Sequence, residues 1–166
     1  MAEVCYVGIV NSSPTIEALR VGANPMTTKK IVLHQLCGHR FVGVNEAGDK
    51  VIVDGDQPAI ALRPTDLLLT ALGACTAYDV IDIMRKKRQP LARYRIEVEG
   101  IQADTHPRRF THIHVTHYGA GPGVTEKALQ RSAELSHTKY CPVANSLNAE
   151  IAIAVVVEPW QDGTSA

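Results

Sequence analysis

The sequence has no excess of charge of either sign, because 17 lysine and arginine residues balance 17 aspartate and glutamate residues. Nucleic acids and anionic membranes attract proteins through clustered positive charge, so this balance argues against both as partners. Aromatic residues are also scarce, at 5% of the chain, which argues against a surface that stacks nucleotide bases. The basic run at residues 85–88 is local, and favourable charge at a helix C-terminus accounts for it.

The sequence also lacks the segments that direct a protein out of the cytosol. No continuous apolar run reaches the roughly 18 residues that span a bilayer, and residues 1–5 resemble no secretory signal. The four cysteines, at positions 5, 37, 75 and 141, form no C-x-x-C pair and no dense disulfide pattern. Such spacing in a chain without a signal peptide favours reduced thiols. We therefore expect a cytoplasmic protein in which any disulfide is transient and catalytic.

The length of 166 residues fits one domain with a sizeable core. Proline and glycine at residues 22–25 end a first, poorly patterned stretch, and a β-rich segment follows. We predict an N-terminal extension at residues 1–28, a single domain at residues 29–160 and a C-terminal tail at residues 161–166.

Hydrophobic patterning predicts six strands and three helices. The strands are expected at residues 31–36, 41–44, 51–53, 93–99, 109–118 and 149–157. The first helix is expected at residues 67–84 with Thr65 as its N-cap, and its apolar residues on nearly all sides predict burial on most sides. A second helix should begin after Thr125 and a short third one after Tyr140. This order, βββ-α-ββ-α-α-β, predicts an α+β domain with a mainly antiparallel sheet.

Cys75 lies in the middle of the first predicted helix. A cysteine there can simply be a small apolar residue that fills a tight helix crossing. Asp79 and Asp82 follow on the same helix face, and nearby carboxylates oppose formation of a thiolate. A reactive Cys75 therefore needs a nearby cation, and the sequence offers Arg40 and Arg63 as candidates.

Cys141 precedes Pro142 at the start of the third predicted helix. Proline suits the first helical position, so the thiol would be the N-cap, where free N–H groups and the helix dipole stabilise a thiolate. Electrostatics therefore predicts that Cys141 is the more acidic thiol of the two. The two settings suggest that folding joins Cys75 and Cys141 into a redox pair, while an incidental capping cysteine remains the alternative.

Two histidines suggest a competing metal-binding function. His112 and His114 point the same way along one predicted strand, but a zinc site needs three or four converging ligands. Solvated strand histidines are the favoured interpretation, so we expect no metal and no other cofactor.

The segments around the two cysteines resemble the OsmC/Ohr family of osmotically inducible and organic hydroperoxide resistance proteins. The matching motifs are PTDLLLTALGACTAYDV at residues 64–80 and KYCPVA at residues 139–144. With the predicted strands, the resemblance covers about residues 30–158. It implies an OsmC-like fold and an intertwined homodimer, in which an antiparallel sheet wraps around long central helices.

The resemblance further implies a cysteine-based peroxidase that reduces organic hydroperoxides or hydrogen peroxide in defence against oxidative stress. By analogy, Cys75 would form a sulfenic acid and Cys141 would close a disulfide with it, which an external thiol or dithiol would reduce. These roles reverse the order that electrostatics predicts. The alternative is a protein of the same fold that lacks peroxidase activity and binds a small apolar or electrophilic ligand at the dimer interface.

Peroxidases of this family use an arginine and a glutamate to hold the reactive cysteine as a thiolate. The resemblance makes Arg40 the candidate arginine, reaching Cys75 of the partner subunit. The glutamate position falls on Thr65, and the neighbouring Asp66 carries a shorter carboxylate. This pattern looks more like a less characterised branch of the family.

Overall fold

A computed structural model of the chain describes residues 28–161. The predicted N-terminal extension, which contains Cys5, and the predicted C-terminal tail therefore lie almost entirely outside the described residues.

The described residues follow the predicted order of elements. The strands and helices are β1 Ile31–Cys37, β2 Arg40–Asn45, β3 Lys50–Asp54, α1 Pro64–Lys86, β4 Arg93–Gln102, β5 Phe110–Ala120, α2 Glu126–Leu135, α3 Pro142–Ser146 and β6 Glu150–Val157. A single π-helical turn, Ser136–Tyr140, joins α2 to α3. Sequence patterning did not predict this turn.

The prediction of a single sheet is wrong within one chain, because the strands form two three-stranded sheets, of order β1-β2-β3 and β4-β5-β6. Three of the four strand pairings are antiparallel, as predicted, and β5 pairs with β6 in parallel. The parallel pair arises because α2 and α3 carry the chain back before β6 starts, and such a crossover connects parallel strands. The second sheet supports α1, α2 and α3.

The N-cap of helix α1 lies two residues before Thr65, the predicted N-cap. Arg63 is the N-cap and Pro64 takes the first helical position, where its missing N–H costs nothing. Asp66 accepts a hydrogen bond from the backbone N–H of Arg63 at 3.1 Å. The prediction of Thr65 as N-cap is therefore wrong, and Asp66 stabilises the first turn.

The prediction that α1 is buried on most sides is wrong when one chain is considered alone, because that chain buries only one side of the helix. Its buried residues follow one stripe that faces the second sheet and α2, namely Leu72, Gly73, Thr76, Val80 and Met84. On the other side Tyr78 is 71% exposed. Helix α1 therefore has more apolar surface than its own chain buries.

Within residues 28–161, α1 is long and apolar enough to cross a membrane when only length and composition are considered, with a mean hydropathy of 1.6. The core helix of a soluble protein meets the same criteria. Its buried stripe packs against β4, α2 and α3.

The first sheet exposes apolar side chains on both faces. Every residue of β1 is exposed, and Ile31 and Leu33 are each 60% exposed. These two side chains and that of Val51 lie over Gly43. A Cβ atom added at Gly43 would be 3.2 to 3.5 Å from each of the three side chains. Exposed apolar patches of this kind are typical of interaction surfaces.

Candidate functional site

The two cysteines that the sequence singles out are neighbours in the core. Cys141 is fully buried in a cluster with Leu72, Ile113, Val115 and Ala144, and the half-buried Cys75 packs against this cluster. Residues 66 positions apart in the sequence thus meet because α3 rests on the middle of α1. The described cysteines, Cys37, Cys75 and Cys141, are all free thiols.

Cys141 is the N-cap of α3, as predicted. Its Sγ accepts a hydrogen bond from the backbone N–H of Ala144 at 3.3 Å, and Pro142 takes the first helical position. The predicted acidity of this thiol is wrong, however. Burial and the neighbouring Cys75 thiol raise the pKa of Cys141 to about 11, although the N–H groups of Ala144 and Val143 act in the opposite direction. Desolvation outweighs the field of a helix of only five residues.

A buried serine connects the elements that carry the two thiols. Ser136 begins the π-helical turn, and its hydroxyl donates a hydrogen bond to the Asp79 carboxylate on α1 at 2.7 Å. Its carbonyl oxygen accepts the backbone N–H of Cys141 at 2.8 Å. The sequence did not indicate this serine, because only tertiary packing brings it to Asp79. The position of Asp79 on the Cys75 face of α1, in contrast, was predicted.

Arg40 lies at the start of β2, and its contacts are in its own sheet. Its Nε and Nη2 lie 2.9 and 2.8 Å from one oxygen of Asp54, and its Nη1 lies 3.9 Å from the Cys37 sulfur. Asp54 is fully buried, and backbone N–H groups of Ile60 and Asp56, followed by Arg40, hold its pKa below the usual value. Within one chain, the described contacts of Arg40 do not include Cys75.

Asp66 lies away from the two thiols of its own chain. It precedes Cys75 by nine residues of α1, which corresponds to about 13 Å along the axis and a rotation of about 180°. Its carboxylate lines a groove of about 580 Å³ between α1 and β4 and caps the helix through Arg63. Asp66 and Cys75 therefore occupy opposite faces of α1.

The small residues of α1 form the helical wall of this groove. Gly73, Ala74 and Ala77 face Tyr94 and Ile96 of β4 across it. At Gly73 a Cβ atom would come within 3.0 Å of Val98, so helix and strand approach each other closely there. Apolar residues thus make up most of the lining of this groove between α1 and β4.

The two aligned histidines lie where the sequence predicts. His112 and His114 are exposed on β5, and the buried Ile113 and Val115 alternate with them. Among the described residues, no group of three or more histidine, cysteine, aspartate or glutamate side chains converges as a metal site would require. His112 instead lies 3.5 Å from the carboxylate of Glu150.

A third β5 histidine, His117, is fully buried. Its Nδ1 lies 2.6 Å from the Tyr94 hydroxyl, and its Nε2 has no hydrogen-bond partner among the described residues. Burial lowers the pKa of His117 to about 4 and raises that of Tyr94 above its usual value. Both side chains are thus neutral at physiological pH.

Comparison with known proteins identifies the family to which the chain belongs. The family model described as OsmC-like protein matches residues 54–156, and the chain belongs to the OsmC-like family. Protein YhfA of Escherichia coli strain K12 is 32% identical over 116 residues, which cover 70% of this chain and 87% of YhfA.

Solved structures support the same fold. A hypothetical protein from Aquifex aeolicus VF5 is 30% identical, has a TM-score of 0.68 and aligns over 81% of this chain and all of its own. The organic hydroperoxide resistance protein OhrB of Bacillus subtilis is 14% identical, has a TM-score of 0.56 and aligns over 78% of this chain and 98% of its own. At that identity the second match shows a shared fold alone.

Proposed function

We propose that the protein is a thiol-dependent peroxidase that reduces organic hydroperoxides or hydrogen peroxide with Cys75 and Cys141. The observation that carries this proposal is the packing of the half-buried Cys75 against the core cluster that contains the fully buried Cys141, with the Cys75 thiol near enough to raise the pKa of Cys141. Proteins of the same fold are described as organic hydroperoxide resistance proteins; at 14 to 16% identity they share the fold with this chain, and the proposal of the same chemistry rests on the two cysteines.

The proposed cycle begins at Cys75, the more exposed of the two thiols. Its thiolate attacks the terminal peroxide oxygen, the O–O bond breaks, and an alcohol or water leaves with one added proton. The sulfenic acid of Cys75 is then attacked by Cys141. The S–S bond forms, the S–O bond breaks, and the hydroxyl group leaves as water with the Cys141 proton. One external dithiol, or two molecules of a thiol, supplies two electrons and two protons to restore both thiols and is itself oxidised to a disulfide.

The order of attack follows from burial. Because the Cys141 pKa is raised to about 11, this residue is almost fully protonated at neutral pH and is a poor first nucleophile. Its side chain is also closed to solvent, which suits a thiol that reacts only with its neighbour. Cys75 on α1 is therefore the better candidate for contact with peroxide.

We infer that the working unit is an intertwined homodimer in the cytoplasm. The exposed apolar faces of β1 and of the first sheet and the uncovered side of α1 supply surfaces that a second copy of the chain would bury. In such a dimer, Arg40 of one subunit would approach Cys75 of the partner subunit. Asp54 already holds the Arg40 guanidinium in a fixed position, as an activating cation requires.

Steady-state peroxide consumption tests this function. The purified full-length protein is mixed with an alkyl hydroperoxide and a dithiol, and the remaining peroxide is measured over many turnovers. We expect catalytic consumption by the natural chain and by Cys5→Ser, the control at a cysteine that is not part of the proposed site. Cys75→Ser should consume no more peroxide than the dithiol alone, and equal rates for the natural chain and Cys75→Ser would refute the proposal.

A further inference from the structure

The π-helical turn Ser136–Tyr140 holds the backbone of Cys141 against the Cys75 segment of α1 through one buried residue. The Ser136 hydroxyl donates to Asp79 at 2.7 Å and lies 3.5 Å from the carbonyl oxygen of Thr76. The carbonyl oxygen of Ser136 accepts the Cys141 N–H at 2.8 Å. Its side chain thus contacts the helical turn that follows Cys75, and its backbone contacts Cys141.

The opposite side of Cys141 is fixed as well. The Asn145 side-chain amide donates to the carbonyl oxygen of Cys141 at 2.9 Å and to that of His137 at 3.3 Å. Both backbone polar groups of Cys141 are therefore bound, and its sulfur is held by the Ala144 N–H at 3.3 Å. Ser136 is the member of this arrangement that connects it to α1.

The location of Asp79 makes this connection relevant to the thiols. Asp79 lies four residues after Cys75, so the two side chains occupy the same face of α1. A hydrogen bond to a carboxylate is stronger than one between neutral groups, and it is short here. A π-helical turn inserted between two α-helices is uncommon and is frequently found at functional sites.

We propose that the hydrogen bond from Ser136 to Asp79 positions Cys141 for its attack on the sulfenic acid of Cys75. Ser136 and Asp79 are positioning residues in this proposal, which rests on the proposed peroxidase cycle. The step they assist forms the S–S bond, breaks the S–O bond of Cys75 and releases water that carries the Cys141 proton. Holding two reacting groups in place raises their effective concentration, and this matters most for a thiol that is rarely ionised.

A purely structural role for the same bond predicts a different result. Loss of the bond would then lower stability and affect oxidation of Cys75 and closure of the disulfide alike. Positioning predicts a selective effect on closure, because Cys75 reaches peroxide without help from Ser136.

The test measures the two steps separately in single turnovers of the full-length protein. Sulfenic acid at Cys75 is trapped with dimedone, and the Cys75–Cys141 link is quantified by peptide mass spectrometry after mixing with an alkyl hydroperoxide. Ser136→Ala and Asp79→Ala should each slow closure about tenfold and leave trapping of the sulfenic acid unchanged. Asp79→Asn keeps an oxygen acceptor for Ser136 and should restore most of the closure rate. The exposed Asp82, bonded to Arg85, provides the control Asp82→Ala.

A second arm of the test replaces the peroxide with diamide, which oxidises two thiols to a disulfide directly. If the natural chain forms no sulfenic acid but closes the Cys75–Cys141 link with diamide in a Ser136-dependent way, the peroxidase cycle and the attack on a sulfenic acid both fail, and the result supports only that the Ser136–Asp79 bond positions Cys141 for bond formation with Cys75. If closure with diamide is equally fast in the natural chain, Ser136→Ala and Asp79→Ala, the positioning is wrong whether or not peroxide is consumed. Equal slowing of both steps in the peroxide arm would also overturn it.

Discussion

Arg40 is fixed to Asp54 through two nitrogens, Nε at 2.9 Å and Nη2 at 2.8 Å from the same carboxylate oxygen. Asp54 in turn accepts the backbone N–H groups of Asp56 at 3.0 Å and Ile60 at 3.0 Å. Because the carboxylate is fully buried, the guanidinium cannot leave it without leaving a buried charge unpaired. The first sheet therefore presents a cation in a defined position at the start of β2.

Replacement of this cation should slow the first chemical step. We expect Arg40→Ala to reduce the rate of Cys75 oxidation by an alkyl hydroperoxide about tenfold or more, because a thiolate depends on nearby positive charge. Dimedone trapping under single-turnover conditions measures the rate. The control is Arg85→Ala, which removes an exposed arginine at the end of α1 that is paired with Asp82. Equal rates in Arg40→Ala and the natural chain would show that Arg40 does not assist Cys75.

The closure step should accelerate as the pH rises. Burial, the largest cause, raises the pKa of Cys141 and persists after Cys75 is oxidised, so only a small fraction of the molecules carries the Cys141 thiolate at pH 7. The thiolate fraction therefore increases about tenfold per pH unit through the range in which most assays are made. Quenched-flow mass spectrometry of the Cys75–Cys141 link at pH 7, 8 and 9 measures this dependence. A closure rate that stops rising below pH 8 would contradict a buried, protonated Cys141.

Folding stability should fall in acid because of His117. Its pKa is about 4 in the folded protein, below the ordinary histidine value of 6.5, so protonation favours the unfolded chain. The contribution of the neutral ring is complete above pH 6.5 and is lost as the pH falls through 4, at a cost of roughly 3 kcal/mol.

Urea unfolding at pH 7 and pH 4 tests this loss. His117→Gln keeps a hydrogen-bond partner for Tyr94 and removes the titration, so it should lose less stability between the two values than the natural chain. The exposed His114→Gln is the matched control on the same strand and should behave like the natural chain. If His117→Gln loses as much folding stability between pH 7 and pH 4 as the natural chain, groups other than His117 cause that loss.

The exposed strand β1 should be an assembly surface. Leu33→Lys places a charge in the apolar group that Ile31, Leu33 and Val51 form over Gly43, and we expect it to convert a dimer into monomers in sedimentation experiments. Lys127→Glu changes charge at an exposed position of α2 and should leave the dimer intact. A natural chain that sediments as a monomer at micromolar concentration would contradict the inferred dimer.

Much of the fold could be predicted because its elements carry local signals. The order of strands and helices, the hairpin of β2 and β3 and the caps at Thr125 and Cys141 follow from periodicity, turn residues and proline. The start of α1 was predicted too late in the sequence, because a proline such as Pro64 can either occupy the first helical position or lie just before the helix. The division into two sheets could not be predicted, because strand pairing depends on contacts that are distant in the sequence.

The candidate site was only partly predictable for the same reason. The motifs around Cys75 and Cys141 identified two thiols that lie together in the core. The acidity of Cys141 was misjudged because a local rule about helix N-termini takes no account of desolvation by Leu72, Ile113 and Val115. Ser136 was missed because a serine between two helices gives no local signal of its bond to Asp79.

The central claim is that Cys75 and Cys141 are an ordered redox pair, and counting thiols after one equivalent of alkyl hydroperoxide tests it most directly. We expect the natural chain to lose two thiols, which mass spectrometry should find in a Cys75–Cys141 link. Cys141→Ser should lose one thiol and accumulate a dimedone-reactive sulfenic acid at Cys75. A natural chain that keeps all its thiols, or a Cys75→Ser variant that loses them at the same rate, would contradict the account.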